Sequence, residues 1–212
     1  MKPAALPAEG RMTDTTPSRP QGSSGSGFWE HSLKLYADPE IASICLDLQD
    51  RFGLDVNLLL FCLYAGHRGR TLSADDLRLL DEVVRPWRAQ VIQPLRLVRN
   101  WIRSTTTEAA ADAVRRQVLD AELAAEHRQQ RLMEETLPIA PGPTDHEASA
   151  ANLARYAEIL NPQPAGPLEA ALSTLCQRST EALDRADAAG ATRDQALHHG
   201  LVSSAQRPAA SA

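Results

Sequence analysis

Residues 53–63 read Gly-Leu-Asp-Val-Asn-Leu-Leu-Leu-Phe-Cys-Leu, and this run constrains the architecture more than any other part of the chain. Asp55 is a residue type that commonly caps a helix. A helix formed by the residues after it would be apolar around nearly its whole circumference. Such a helix is stable in water only when other helices surround it. The apolar run ends by Gly66, at about half of the roughly 20 residues that cross a bilayer, so we predict a buried central helix and no membrane span.

The residues before this run predict an amphipathic helix over 39–52. Asp38 suits an N-cap, Pro39 suits the first helical position, and Gly53 suits the C-terminal end. Five apolar residues recur at the spacing of one helix face, and they are Ile41, Ile44, Cys45, Leu48 and Phe52. We therefore expect one side of this helix to pack against its neighbours.

Three further helices are predicted after the central one, over about 73–104, 107–135 and 144–160. Ser73 and Asp76 resemble a capping box at the start of the first, with Asp in place of the usual Glu. Thr144 with Glu147 predicts the start of the last.

The composition agrees with an all-α fold. Alanine and leucine together number 62, against 14 valine and isoleucine residues, and the β-branched types are those that favour sheets. The aromatic residues all lie between positions 28 and 156, which places the core there. We therefore predict a single helical bundle of five to six helices over residues 28–160.

The two ends of the chain are predicted to lie outside this bundle. Residues 1–27 are rich in Pro, Gly and Ser, so we expect a disordered leader, in which Met12 is an alternative start to Met1. Residues 161–212 begin with a proline-rich linker and continue as a weakly amphipathic tail, helical to about Ala189. Because no apolar run of signal-peptide length occurs near the N-terminus, a cytoplasmic location is predicted.

Arginines recur along one side of the predicted helix over 73–104. At about 100° per residue, six of them fall within an arc of about 80°. These arginines are Arg78, Arg85, Arg88, Arg96, Arg99 and Arg103. The apolar residues on a separate arc are Val84, Trp87, Val91, Val98, Trp101 and Ile102. The pattern predicts a core face and a cationic face, with no acidic residue between Arg85 and Arg103.

Two interpretations of this cationic face remain open. Arg85, Arg88, Arg96, Arg99 and Arg103 could bind an acidic protein or an anionic ligand, since guanidinium groups match carboxylate and phosphate. Alternatively, the face is a solvated stripe, or it pairs with acidic residues of an adjacent helix. The candidate acids are Asp47, Asp50, Glu122 and Glu126. Prolines 86 and 94 lie inside the helix, and a break there would rotate the two halves of the stripe out of register.

A second candidate site is a pocket between helices near Asp55, Asn57, Tyr64 and Trp87. Helical bundles house ligands between their helices, and polar residues cluster here beside the most apolar helix. Helix capping already accounts for Asp55, and Asn57 in the first turn can satisfy backbone groups.

Catalytic and metal-binding motifs do not stand out in the sequence. The three cysteines, Cys45, Cys62 and Cys176, form no Cys-x-x-Cys pair and indicate small hydrophobic residues in a reducing compartment. His127 lacks the Glu-x-x-His spacing of di-iron bundles. We therefore predict no catalytic residue, no metal and no cofactor. The net charge of −5 and the two lysines argue against a nucleic-acid partner.

Several short segments resemble a small uncharacterised family of proteobacterial helical proteins, a domain of unknown function. The segments are Phe28-Trp29, Leu35-Tyr36, Cys45-Leu46, Leu48-Gln49, residues 53–61, Trp87, Pro94-Leu95-Arg96, Arg99 and residues 152–156. The likeness covers about residues 28–160. The resemblance supports these boundaries and implies no activity, substrate or cofactor.

From these patterns the leading hypothesis is a cytoplasmic helical adaptor, without enzymatic activity, that binds a partner through the arginine face. The alternative is a small-molecule or anion-binding protein or enzyme with a pocket near Asp55 and Trp87. A structural oligomer is a third possibility, since the sequence does not determine the oligomeric state.

Overall fold

The structure, a computed structural model, describes residues 27–105, 109–160 and 166–205. The expected leader, apart from Gly27, lies outside these residues. The helices are α1 (Phe28–Tyr36), α2 (Pro39–Phe52), α3 (Val56–Gly66), α4 (Ala74–Trp87, a π-helical turn Arg88–Ile92, and Gln93–Thr105), α5 (Ala109–Thr136), α6 (His146–Leu160) and α7 (Gly166–Ala205). No strand occurs in the described residues, so the all-α prediction is confirmed. They form seven helices rather than five or six, because the tail also contributes one.

The helix boundaries predicted around the central helix are confirmed. The Asp38 side chain accepts from the Glu40 backbone N–H at 3.0 Å, and Gly53 ends α2 with a φ of 71°. The Asp55 side chain caps α3 by accepting from the Leu58 N–H at 3.1 Å. A reciprocal capping box between Ser73 and its third neighbour begins α4.

The predicted cap of the last bundle helix is wrong by one residue. Asp145, not Thr144, accepts from the Ala148 backbone N–H, at 2.9 Å. The Thr144 hydroxyl instead donates to the carbonyl of His67, at 3.3 Å, just after the end of α3. This tertiary hydrogen bond leaves the capping position to the next residue.

The core is centred on α3, all of whose residues are buried. Helix α6 packs most closely against it: a Cβ added to Gly66 would lie 2.2 Å from the Ser149 Oγ. Asn152 of α6 is fully buried and accepts from the Leu72 N–H at 2.7 Å while donating to the Arg70 carbonyl at 2.9 Å. Because these bonds fix the segment between α3 and α4, they also fix where α4 begins.

The tail helix α7 shares the core of the bundle. Leu168, Leu172 and Leu175 are buried in the same apolar cluster as α3. The helix extends to Ala205, beyond the predicted end near Ala189. The division into a leader, a bundle and a tail stays a prediction, and the linker residues 161–165 lie outside the described residues.

Helix α4 continues through both of its prolines. In a regular α-helix the ring of Pro94 would clash with the carbonyl of Gln90, four residues earlier. Gln90 lies inside the π-helical turn, whose wider geometry accommodates a helix defect of this kind. The turn also changes the angular register between the two halves of α4, so the single arginine arc expected from the sequence does not hold.

None of the helices in the described ranges has both the length and the apolar content required to span a bilayer.

Candidate functional site

The arginines of the first half of α4 are paired with acidic residues of the same chain. Arg85 Nη2 lies 2.7 Å from an Asp81 carboxylate oxygen. Arg88 bridges Asp81 and Asp55, with both N–O distances at 2.9 Å. These charges are paired although no acidic residue lies between Arg85 and Arg103, because Asp81 precedes Arg85 on α4 and Asp55 is brought in from the start of α3.

The arginines of the second half point toward α5. Arg96 Nε lies 3.1 Å from Glu122, and the same guanidinium also contacts Glu126 and Gln49. Arg99 Nε lies 2.6 Å from Glu122, whose side chain is only 7% exposed. Pairing with an adjacent helix, the alternative left open by the sequence, is therefore what the structure shows for these two residues.

The electrostatics of this buried cluster are balanced. Burial raises the pKa of Glu126, and the neighbouring Arg96 opposes that rise. Burial would also lower the pKa of Arg88, but Asp55 and Asp81 outweigh it and hold that pKa above its ordinary value. Arg88 therefore joins α4 to the start of α3, and Arg96 and Arg99 join it to α5, whereas Arg85 pairs within α4.

Arg103 differs from the other four arginines. It is exposed, and the ion pairs between described residues do not include it. Of the five residues predicted to form the cationic face, it is the one that has no ion pair within the described ranges.

With its arginines turned inward, the second half of α4 exposes its apolar side. Leu97 is 70% exposed, Trp101 is 63% exposed, and Val98 between them is 47% exposed. Val98 and Trp101 were expected on the core face, and that expectation is wrong because the segment packs chiefly against α5 through its charged side. We call Leu97, Val98, Trp101 and Arg103 the outer face of α4.

A cleft of about 490 Å³ adjoins this outer face. It lies between the α2–α3 junction and α4, and we call it the Asp55 cleft. Its polar lining residues are Gln49, Asp55, Arg88, Gln93, Arg96, Asn100 and Gln129. Leu97 and Asn100 line both the cleft and a shallow depression around Trp101, so the cleft and the outer face form one continuous surface.

Asp55 is held by four hydrogen bonds. One carboxylate oxygen caps α3, and the other accepts from Arg88 at 2.9 Å and from Gln129 Nε2 at 3.0 Å. Its backbone N–H donates to the Tyr156 hydroxyl at 2.9 Å. Within the described part of the chain, the Oε1 atom of Gln129 is buried and has no hydrogen-bond partner. This orphaned acceptor lies beside the cleft wall.

The structure does not bring the four predicted pocket residues together. Asp55 lines the cleft, but Asn57 is buried and accepts from Gln130 Nε2 at 2.8 Å. Trp87 donates to the Ala125 carbonyl at 2.9 Å. Tyr64 lines a different cavity, where its hydroxyl donates to Glu134 at 3.3 Å.

Sequence reasoning missed the glutamines of α5. Gln129 and Gln130 are buried and hydrogen-bonded to the first turn of α3, although glutamine in a long charged helix is typically a surface residue. The only available signal is their position as an uncharged pair within a strongly charged stretch of the chain.

The family comparison agrees with the resemblance noted from the sequence. A model described as "Protein of unknown function (DUF2390)" matches residues 27–133, about half of the chain. The match includes α1 to α4 and most of α5, and ends before α6. Comparisons with curated proteins and with solved structures find no match.

Proposed function

We propose that the chain, which belongs to the DUF2390 family, is a partner-binding protein that docks an acidic amphipathic segment of another protein on the outer face of α4. One observation carries the proposal. The charged side of an amphipathic helix is turned into the protein, and its apolar side is left in water. A helix of a folded domain ordinarily does the reverse, because burial of apolar surface drives folding.

The exposed apolar residues are concentrated in one region. Of the eleven large hydrophobic residues exposed in the described part of the chain, six lie between positions 97 and 123. They are Leu97, Val98, Trp101, Val114, Leu119 and Leu123. Single exposed apolar residues are normal, whereas adjacent ones mark interaction surfaces. Tryptophan in particular is enriched among the residues that contribute most to protein–protein binding.

The charge beside the apolar residues favours an acidic partner. Arg103 is exposed and lines the same shallow depression as Leu97 and Trp101. A carboxylate at the edge of the docked segment can form two parallel hydrogen bonds with this guanidinium. The partner is therefore expected to present an apolar side to Leu97 and Trp101 and an acidic residue to Arg103.

The test compares lysine substitutions on the outer face of α4 with a lysine substitution at an exposed apolar residue elsewhere on the surface. The double substitution Leu97→Lys, Trp101→Lys alters the outer face, and Leu33→Lys alters a similarly exposed residue, 51% accessible, on α1. The tagged chain captures proteins from an extract of its host, and each candidate is then purified and titrated by calorimetry.

We expect a captured protein whose affinity is retained by Leu33→Lys and falls at least tenfold in the double variant, which remains helical by circular dichroism. Equal affinities for the two variants would contradict the proposal. If the contact maps to a basic or wholly polar segment of the partner, the proposal that the docked segment is acidic and amphipathic is contradicted.

A second candidate function is small-molecule binding in the Asp55 cleft. The volume of about 490 Å³ is within the usual range for ligand sites, and the unpartnered Gln129 Oε1 offers an acceptor to a ligand N–H or O–H group. The test is a thermal-shift screen with metabolites, phosphates and divalent metals. A true cleft ligand raises the melting temperature of the wild type but not of Gln93→Trp, which places an indole ring at the cleft.

A further inference from the structure

A groove of about 430 Å³ lies between α6 and α7, and we call it the α6–α7 groove. Its volume is within the usual range for small-molecule sites. It shares no lining residue with the Asp55 cleft or with the outer face of α4. A ligand of this groove is therefore independent of the partner and of the ligand proposed above.

The floor of the groove is apolar. Leu153 and Ala157 of α6 are each 1% exposed, and Leu172 of α7 is 6% exposed. Ala150, Ala154 and Ala157 recur at the spacing of one helix face, and all three line the groove. Because an alanine side chain extends only one carbon from the backbone, these positions leave the space that larger side chains would fill. An apolar ligand would bury its surface on this floor.

Two carboxylates lie at one end of the groove. Helix α6 ends at Leu160 and α7 begins at Gly166, so Glu158 and Glu169 lie where these two helices follow each other. Both side chains are exposed, and the ion pairs between described residues include neither of them. Glu158 is in the last turn of α6, where the helix dipole disfavours a negative charge. No arginine or lysine is among the described residues that line the groove, so this end favours a cation.

The opposite end of the groove carries hydrogen-bonding groups instead of carboxylates. His146 is the first residue of α6, and its Nδ1 lies 3.1 Å from the Oγ1 of Thr180 on α7. Cys176 lines the groove one turn before Thr180, and burial raises the pKa of its thiol. An uncharged thiol behaves as a small apolar group, so Cys176 extends the apolar lining.

We propose that the α6–α7 groove binds a small amphiphile that has an apolar chain and a cationic amino group. The chain packs on Leu153, Ala157 and Leu172, and the amino group lies beside Glu158 and Glu169. A fatty acid of the same length is the wrong ligand, because its carboxylate would be repelled by the two glutamates.

The test uses the accessibility of Cys176 as a readout that is local to the groove. The chain contains three cysteines, and Cys45 and Cys62 are fully buried, so a neutral maleimide is expected to label Cys176 alone in the folded protein. Labelling near pH 7 is followed by mass spectrometry while N,N-dimethyldecylamine or decanoate is added below the concentrations at which they form micelles. We expect saturable protection of Cys176 by the amine and at least fivefold weaker protection by decanoate.

Matched double variants separate binding in the groove from general charge effects. Glu158→Gln with Glu169→Gln is expected to weaken the binding of the amine at least fivefold. Glu82→Gln with Glu147→Gln, which removes two exposed carboxylates outside the groove, is expected to leave it unchanged. Melting curves confirm that both variants are folded. The proposal is overturned if the amine does not protect Cys176, if decanoate protects it equally well, or if the two double variants bind the amine with the same affinity.

Discussion

Glu122 is the residue that joins α5 to the second half of α4. Its nearly buried carboxylate accepts from Arg96 at 3.1 Å and from Arg99 at 2.6 Å. Removing one partner of a buried ion pair is costly because it leaves the other charge desolvated and uncompensated. We predict that Arg96→Met lowers the free energy of unfolding by about 3 kcal/mol, because Glu126 loses the guanidinium with which it pairs and Glu122 keeps only Arg99.

The exposed Arg103 provides the matched control on the same helix. Arg103→Met is expected to change the free energy of unfolding by less than about 0.5 kcal/mol, as is usual for surface substitutions. Urea denaturation of both variants measures the difference. Equal stabilities would mean that Arg96 is solvated rather than engaged with Glu122 and Glu126.

The buried pair of histidines, His31 and His67, makes the stability of the fold depend on pH. Burial is the main cause that lowers the pKa of His31 to about 3 and that of His67 to about 4, from the ordinary value of 6.5. The groups nearest the pair are Lys34, Arg68, His146 and Asp184. The unfolded chain therefore binds more protons than the folded one between pH 6.5 and 4, so stability is highest above this window and falls as the pH is lowered through it.

The expected slope is about 1.4 kcal/mol per pH unit for each histidine within that window. Urea denaturation at a series of pH values measures it. His31→Gln or His67→Gln should reduce the slope by about that amount. A slope that is the same in the wild type and in both the His31 and His67 variants would show that burial does not lower the pKa of either histidine in the folded state.

Local signals in the sequence were sufficient for some residues and not for others. The caps Asp38, Asp55 and Ser73 act on backbone groups within three residues, so local sequence predicts them. The partners of Arg88 and Arg96 come from other helices, and only the tertiary structure brings them together. Thr144 failed as a cap for the same reason, because its hydroxyl reaches the end of α3.

At the scale of whole elements, the packing of α3 against α6 depends on a glycine. No room exists for a Cβ at Gly66, since the backbone N of Ser149 would lie 2.4 Å away. We predict that Gly66→Ala costs at least about 2 kcal/mol, because the two helices must separate. Thermal or chemical denaturation measures the loss.

The same substitution at Gly166, the first residue of α7, is the control. Nothing lies within 4 Å of the Cβ position there, so Gly166→Ala should change stability by less than about 1 kcal/mol. If both substitutions are tolerated equally, α3 and α6 do not approach each other closely enough for a Cβ at Gly66 to clash with Ser149.

The register of α4 is the element that sequence periodicity described least well. A constant 100° per residue assumes one continuous α-helix, and the π-helical turn Arg88–Ile92 breaks that assumption. Pro86 and Pro94 signalled a defect, but a proline does not reveal whether a helix will break, kink or widen. Which side of Gln93–Thr105 faces α5 was therefore not predictable from the spacing of its arginines.

At the scale of the whole molecule, composition and helix punctuation were sufficient to predict an all-α bundle with α3 at its centre. The leucines of α7 join that core, which the weak periodicity of the tail did not establish. The candidate site was less accessible to sequence reasoning. Leu97 and Trp101 are exposed because the charged side of α4 pairs with Glu122 of α5 and leaves the apolar side facing outward.

The proposed function requires that the outer face of α4 contacts a partner protein. The most direct measurement is site-specific photo-crosslinking in the host, with a photoreactive phenylalanine analogue placed at Trp101 or at Leu33. Both positions are more than half exposed, so the two variants differ in face rather than in accessibility. We expect a discrete crosslinked species from position 101 and none from position 33. No adduct from position 101, or the same adducts from both positions, would contradict it.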